Sequence, residues 1–212
     1  MKIFLDFDDL LFNTRAFSDG LQDIFEEFGI SKELFRASYQ EIRAEFPVGG
    51  WCYSCEMHIE RLRKQLSFDE EGLRKELGIY VADTEKFLFS DVKGFLSSLK
   101  KSGYKIFILS FGDADFQSTK ISGTGISQFI ERNIITDKDK AKALQSEIND
   151  DGKNAWFFDD RIHFIESVKR VFPKIRTVCI QREEGRYHEG PNEFCDYIAS
   201  DLKEAWGILK NL

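Results

Sequence analysis

The chain has 212 residues, 42% of them hydrophobic and 32% charged, enough to bury a sizeable core in one domain with an insertion or in two small domains. A formal net charge of −7 argues against broad electrostatic binding to DNA or RNA. The start, MKIFLDFDD, lacks the apolar stretch of a signal peptide, and no apolar run is long enough to span a membrane. Four cysteines in this length do not suggest a disulfide scaffold, so the expected compartment is the cytoplasm.

The first predicted element is a strand, Ile3–Leu5, which runs into Asp6-Phe7-Asp8-Asp9. Asp6 and Asp8 alternate with Phe7 and share one side of an extended chain. Two carboxylates about 4 Å apart repel by about 4 kcal/mol at an effective dielectric near 20. Either a proton or a cation must sit between them, and folding alone gives no reason for the arrangement.

Residues 15–88 then read as helix without strand. Phe17, Leu21, Ile24, Phe25 and Phe28 form one stripe closed by Gly29; Phe35, Tyr39, Ile42 and Phe46 form a second closed by Pro47. Ile59, Leu62 and Leu66 make a third, and Ser67-Phe68-Asp69-Glu70 has the form of a capping box for a fourth. The expected organisation is therefore a main domain of residues 1–14 and 89–212 interrupted by a helical insertion at 15–88.

From residue 89 helices and strands alternate. Val92, Phe95, Leu96 and Leu99 make a helix broken at Gly103, followed by a strand at Ile106–Leu109. Ala141, Leu144 and Ile148 precede a strand at Ala155–Phe158; Ile165, Val168 and Phe172 precede one at Thr177–Ile180. A weaker strand, Asp196–Ala199, leads to a last helix with Leu202, Ala205, Trp206 and Leu209. Short, nearly continuous apolar strands alternating with helices predict an α/β fold with a parallel sheet buried on both faces. Most of the 21 phenylalanines fall in these runs and read as core filling.

Ligands of open parallel sheets bind beyond the carboxyl ends of the strands. There the sequence places Asp6 and Asp8 after the first strand, Ser110 after KIFIL, and Asp159 and Asp160 after AWFF. The lysine-rich start DKDKAKAL, with Lys138, Lys140 and Lys142, lies between the last two. Four carboxylates, a hydroxyl and an ammonium at one edge suit Mg²⁺ and a phosphoryl group.

These motifs resemble the haloacid dehalogenase superfamily, whose larger part is phosphatases. LDFDDLLFNT matches its apolar strand ending in Asp-x-Asp, and KIFILSFG its strand ending in Ser or Thr. KDKAKAL matches its lysine before a helix, and WFFDD its strand ending in an acidic pair. The resemblance covers the whole chain and implies a Rossmann-like parallel sheet flanked by helices, with an inserted all-helical cap. It implies that Asp6 is the nucleophile forming an aspartyl-phosphate and that Asp8 is the acid and base. Mg²⁺ would be held by the Asp6 side chain, the Asp8 carbonyl and the Asp159–Asp160 pair, with Asp160 favoured for direct contact. Ser110 and a lysine would hold the phosphoryl group; Lys140 is chosen, with Lys138 and Lys142 as alternatives. Two positions depart from the family: Asp9 stands where glycine is common, and Arg161 follows the acidic pair where a small residue is common.

The expected activity is Mg²⁺-dependent hydrolysis of a small phosphorylated metabolite such as a phosphoglycolate, a sugar phosphate or a nucleoside monophosphate. The DDR sequence resembles nucleotidases. A phosphomutase or phosphotransferase of the same fold and a non-catalytic binding protein are the alternatives. Dehalogenases of the family attack carbon and need neither the acid nor the metal cluster. No nucleic-acid or membrane partner is expected, and the oligomeric state is open. Cys52, Cys55 and His58 in WCYSCEMH offer three zinc ligands where a closed site needs four, so they read as packing residues. The loop Pro47–Trp51 joins two insertion helices, and Trp51 is read as insertion core or pocket lining. QREEGRYHEG reads as a solvated loop, with Arg182 or Arg186 reaching a substrate as the alternative, and His163 and His188 suggest nothing firm.

Overall fold

A computed structural model describes residues 1–46 and 52–211; the Pro47–Trp51 loop lies outside the described residues. Six parallel strands form one sheet: β1 (Lys2–Leu5), β2 (Lys105–Phe111), β3 (Arg132–Thr136), β4 (Ala155–Asp159), β5 (Arg176–Ile180) and β6 (Tyr197–Ala199), in the spatial order β3-β2-β1-β4-β5-β6. The chain winds outward from β1 through β2 to β3, then crosses to the other side of β1 and winds outward again from β4. The strand order therefore reverses between β1 and β4, where Leu5 pairs with Phe158. A crevice opens at the carboxyl ends of the strands at such a reversal.

Each central strand is apolar through its middle because helices cover both faces. On these faces lie α5 (Val92–Lys101), α6 (Ala114–Gly123), α7 (Lys140–Leu144), α8 (Ile162–Val171) and α9 (Leu202–Lys210). Between β1 and α5 the chain passes through α1 (Thr14–Glu27), α2 (Lys32–Ala44), α3 (Cys55–Leu62) and α4 (Glu70–Ala82). Phe17, Leu21, Phe25, Phe35, Leu62 and Leu77 of these helices join Leu5, Phe7, Phe12 and Phe158 in one continuous apolar cluster.

The predicted strands are present, each differing in length by one to three residues, and the structure adds β3. That strand, RNIIT, sits at the sheet edge half-buried, so it carries too few apolar residues to read as a buried strand. Helix α6 is a second addition. Its sequence ADFQSTKISG buries Gln117 and Lys120 beside Ile121, so an apolar period never develops. The capping box at residues 67–70 is replaced by a simpler cap: Asp69 accepts from the Gly72 amide at 3.0 Å, and Glu70 is the first helical residue.

Candidate active site

The order reversal brings the ends of β1 and β4 together. The Asp6 amide donates to the Phe158 carbonyl at 2.9 Å, which sets the Asp6 side chain beside those of Asp159 and Asp160. One carboxylate oxygen from each of the three lies within 4.8 Å of the others, and all three residues are buried. Lys140, the first residue of α7, is 1% exposed and donates to Asp6 Oδ1 and Asp159 Oδ2, both at 2.6 Å. Its position is held by the α7 cap, where Asp139 accepts from the Ala141 amide at 2.7 Å and from Ser167. Lys138 and Lys142 are exposed. Asp159 uses its other oxygen to accept from the Arg161 amide at 2.9 Å. Asp160 Oδ2 is buried with no hydrogen-bond partner among the described residues.

One ammonium cannot neutralise three buried carboxylates. Burial pushes Asp6 up to about 7, with Asp159 and Asp8 adding to the rise and Lys140 opposing it. Burial, followed by the charges of Asp6 and Asp159, pushes Asp160 well above the usual carboxylate range. An all-oxygen donor set with an orphaned buried oxygen fits a hard divalent cation such as Mg²⁺. Ser110 lies at the end of β2, fully buried, with Oγ unpartnered among the described residues; it does not line the cavity described next.

Asp8 stands apart from this cluster. Its Oδ1 accepts from Lys120 Nζ at 2.7 Å and Thr14 Oγ1 at 2.9 Å, and its Oδ2 accepts from Gln117 Nε2 at 2.7 Å. Lys120 is 3% exposed and ringed by Phe7, Phe12, Phe17 and Phe116, each 5.1–5.5 Å from its ammonium. Burial raises the Asp8 pKa, but the Lys120 and Arg186 charges with the Lys120 and Gln117 hydrogen bonds outweigh it and hold the carboxyl down at about 2. Asp6, Asp8, Asp160, Lys120 and Lys140 all face one cavity of about 890 Å³, which Phe35, Tyr39 and Arg43 of α2 also line.

A family model described as haloacid dehalogenase-like hydrolase matches residues 3–171. The chain belongs to the haloacid dehalogenase-like hydrolases. No curated protein matches it significantly in sequence. Among solved structures it is similar to a HAD phosphatase from Thermococcus onnurineus, with 21% identity, a TM-score of 0.69, and 99% of this chain and 98% of that one covered. It is similar to the magnesium-bound HAD-hydrolase YfnB from Bacillus subtilis, with 14% identity, a TM-score of 0.69, and 98% and 97% coverage. It is also similar to the L-2-haloacid dehalogenase from Xanthobacter autotrophicus with chloropropionic acid covalently bound, with 13% identity, a TM-score of 0.68, and 100% and 98% coverage. At these identities the likeness shows the fold.

The structure accounts for both departures from the haloacid dehalogenase-like pattern. Asp9 has φ 59°, the left-handed region where glycine is easiest and Asp among the better-tolerated alternatives. Its side chain is kept by an ion pair with Arg186, Nε to Oδ2 at 2.6 Å. Arg161 lays its guanidinium 3.7 Å from the Tyr187 ring centre and pairs with Glu189 at 3.0 Å, tying the acidic pair to the loop after β5.

That loop is not simply solvated. Arg182 is buried, donating to Asp91 and to the Leu10 carbonyl, both at 2.8 Å, while Arg186 and His163 line the cavity. His58 is buried with Nε2 2.6 Å from Ser38 Oγ and Nδ1 3.0 Å from the Tyr53 hydroxyl, so both ring nitrogens are engaged. Burial pushes the Cys55 thiol up to about 12. Thr14, Gln117 and Lys120 are the site residues that sequence reasoning missed; Gln117 and Lys120 lie on the helix with no apolar period.

Proposed function

We propose that this haloacid dehalogenase-like hydrolase is a cytoplasmic Mg²⁺-dependent phosphatase acting on a small phosphorylated metabolite, with residues 15–88 as its cap. What carries the reading is a buried three-carboxylate cluster with a lysine and a separately held fourth carboxylate, Asp8, on the same cavity. Asp6 attacks phosphorus, and the phosphorus bond to the leaving oxygen breaks as the aspartyl-phosphate forms. Asp8 supplies the proton to that oxygen; an incoming phosphate dianion raises its proton affinity against the pull of Lys120. The ionised Asp8 then takes a proton from the water that attacks phosphorus, returning Asp6 as a carboxylate. Lys140 and the Ser110 hydroxyl are assigned to phosphoryl oxygens. The side chains of Asp6, Asp159 and Asp160 and the Asp8 carbonyl would hold Mg²⁺, which would supply charge neutralisation for the phosphoryl group. Four free cysteines suit a reducing compartment.

Phosphate release from an aryl phosphate and a panel of small phosphate esters, with Mg²⁺ and with EDTA, tests the reading. Metal-dependent release that Asp6→Asn abolishes is the expected result. Metal-independent chloride release from 2-chloropropionate, with no phosphate released from any ester, would overturn it in favour of carbon chemistry.

A further inference from the structure

The cations of the cavity divide into those that are satisfied and those that are not. Lys140 is held by Asp6 and Asp159, Lys120 by Asp8, and Arg161 by Glu189. Arg186 donates to Asp9 through Nε, and its two terminal nitrogens make no hydrogen bond among the described residues. Arg43, in the last turn of α2, faces the same cavity and makes no ion pair among the described residues. The acids nearest to it in the chain are taken: Glu41 and Glu45 both pair with Arg61.

The two guanidiniums address one region. Tyr39 lies one turn before Arg43 on the same face of α2. Its hydroxyl, raised by burial, is drawn back down by both Arg186 and Arg43, so both positive charges bear on it. Guanidinium edges beside a tyrosine, in the cavity that Asp6 and Asp160 also line, form a recognition surface for planar anionic oxygens. At about 890 Å³ the cavity holds far more than a phosphoryl group.

We propose that the substrate carries a second anionic group, a carboxylate or a further phosphoryl group, which Arg43 and the terminal nitrogens of Arg186 bind while the scissile phosphoryl group meets Asp6. This rests on the phosphatase reading for its reacting end only. Three matched probes separate the sources: propane-1,3-diol monophosphate, 3-phosphooxypropanoate, and propane-1,3-diol bisphosphate.

Binding to the Asp6→Asn protein is measured by calorimetry with Mg²⁺, alongside kcat/KM for the wild type. One anionic-tailed probe should bind and react at least about tenfold better than the neutral-tailed one. Arg43→Gln should bring that ratio to within about twofold of one, and Arg43→Lys should restore part of it. Equal binding of all three probes, no binding of any, or an unchanged ratio in Arg43→Gln overturns the proposal. Preferential binding with no turnover of any probe would leave the second-anion site standing and count against the phosphatase reading.

Discussion

Asp8 and Lys120 form a buried ion pair whose worth depends on neither partner being left alone. Taking away Lys120 leaves a carboxylate, 19% exposed, with only Thr14 and Gln117 as donors. Lys120→Met should therefore lower stability by about 2 kcal/mol in urea denaturation, and Asp8→Asn/Lys120→Met should recover part of the loss. Additive losses in the double variant would show that the pair is not coupled. His58 makes a separate prediction about pH. Burial pushes it down to about 4 from 6.5, so between these values the unfolded chain binds the proton and the folded one does not. Its contribution is fully present above pH 6.5 and is lost as the pH falls toward 4, by about 3 kcal/mol at about 1.36 kcal/mol per pH decade. Urea midpoints at pH 7.5 and 4.5 should separate less in His58→Phe than in wild type; an equal separation would place the acid sensitivity elsewhere.

At the level of elements, α6 is the least conspicuous helix in the sequence and one of the most consequential in the fold. It carries both Gln117 and Lys120 to Asp8, and its end approaches the end of α4 closely. A Cβ at Gly123 would stand 2.4 Å from the Ala82 carbonyl oxygen and 2.6 Å from Thr84 Oγ1. Backbone on one side leaves little room to yield, so Gly123→Ala should cost about 1–3 kcal/mol and lower the thermal midpoint. A midpoint at or above wild type would mean that the two helices separate freely. The strands show the opposite case. WFFDD and KIFIL announce themselves because a central parallel strand must be apolar on both faces, whereas RNIIT at the edge is under no such demand.

At the scale of the whole molecule, three buried carboxylates share a single lysine. On the Mg²⁺ reading proposed above, a divalent cation would relieve their repulsion in the folded state alone. Mg²⁺ at about 100 times its Kd should add about 2.7 kcal/mol and raise the melting temperature, EDTA should reverse the gain, and Asp160→Asn should reduce it. A melting temperature indifferent to Mg²⁺ would argue that Lys140 alone balances the cluster.

Much of this protein is written locally. Apolar runs of strand length, stripes of helical period and acidic residues at strand ends are properties of a few neighbouring residues. They were enough for the α/β class, the helices between β1 and α5, and the candidates Asp6, Asp8, Ser110, Lys140, Asp159 and Asp160. They favoured Lys140 and left Lys138 and Lys142 as alternatives; the start of α7 against β1 and β4 buries Lys140 and leaves the others in solvent. Nor did they find the partners of Asp8, because Gln117 and Lys120 stand 109 and 112 residues away on a helix with no apolar period. A buried charge needs a counter-charge in space, wherever the chain can bring one, and its sequence separation carries no trace of the pairing. The sequence nominated the strand-end candidates; which charges neutralise one another, and which are left facing the cavity, was decided by the fold.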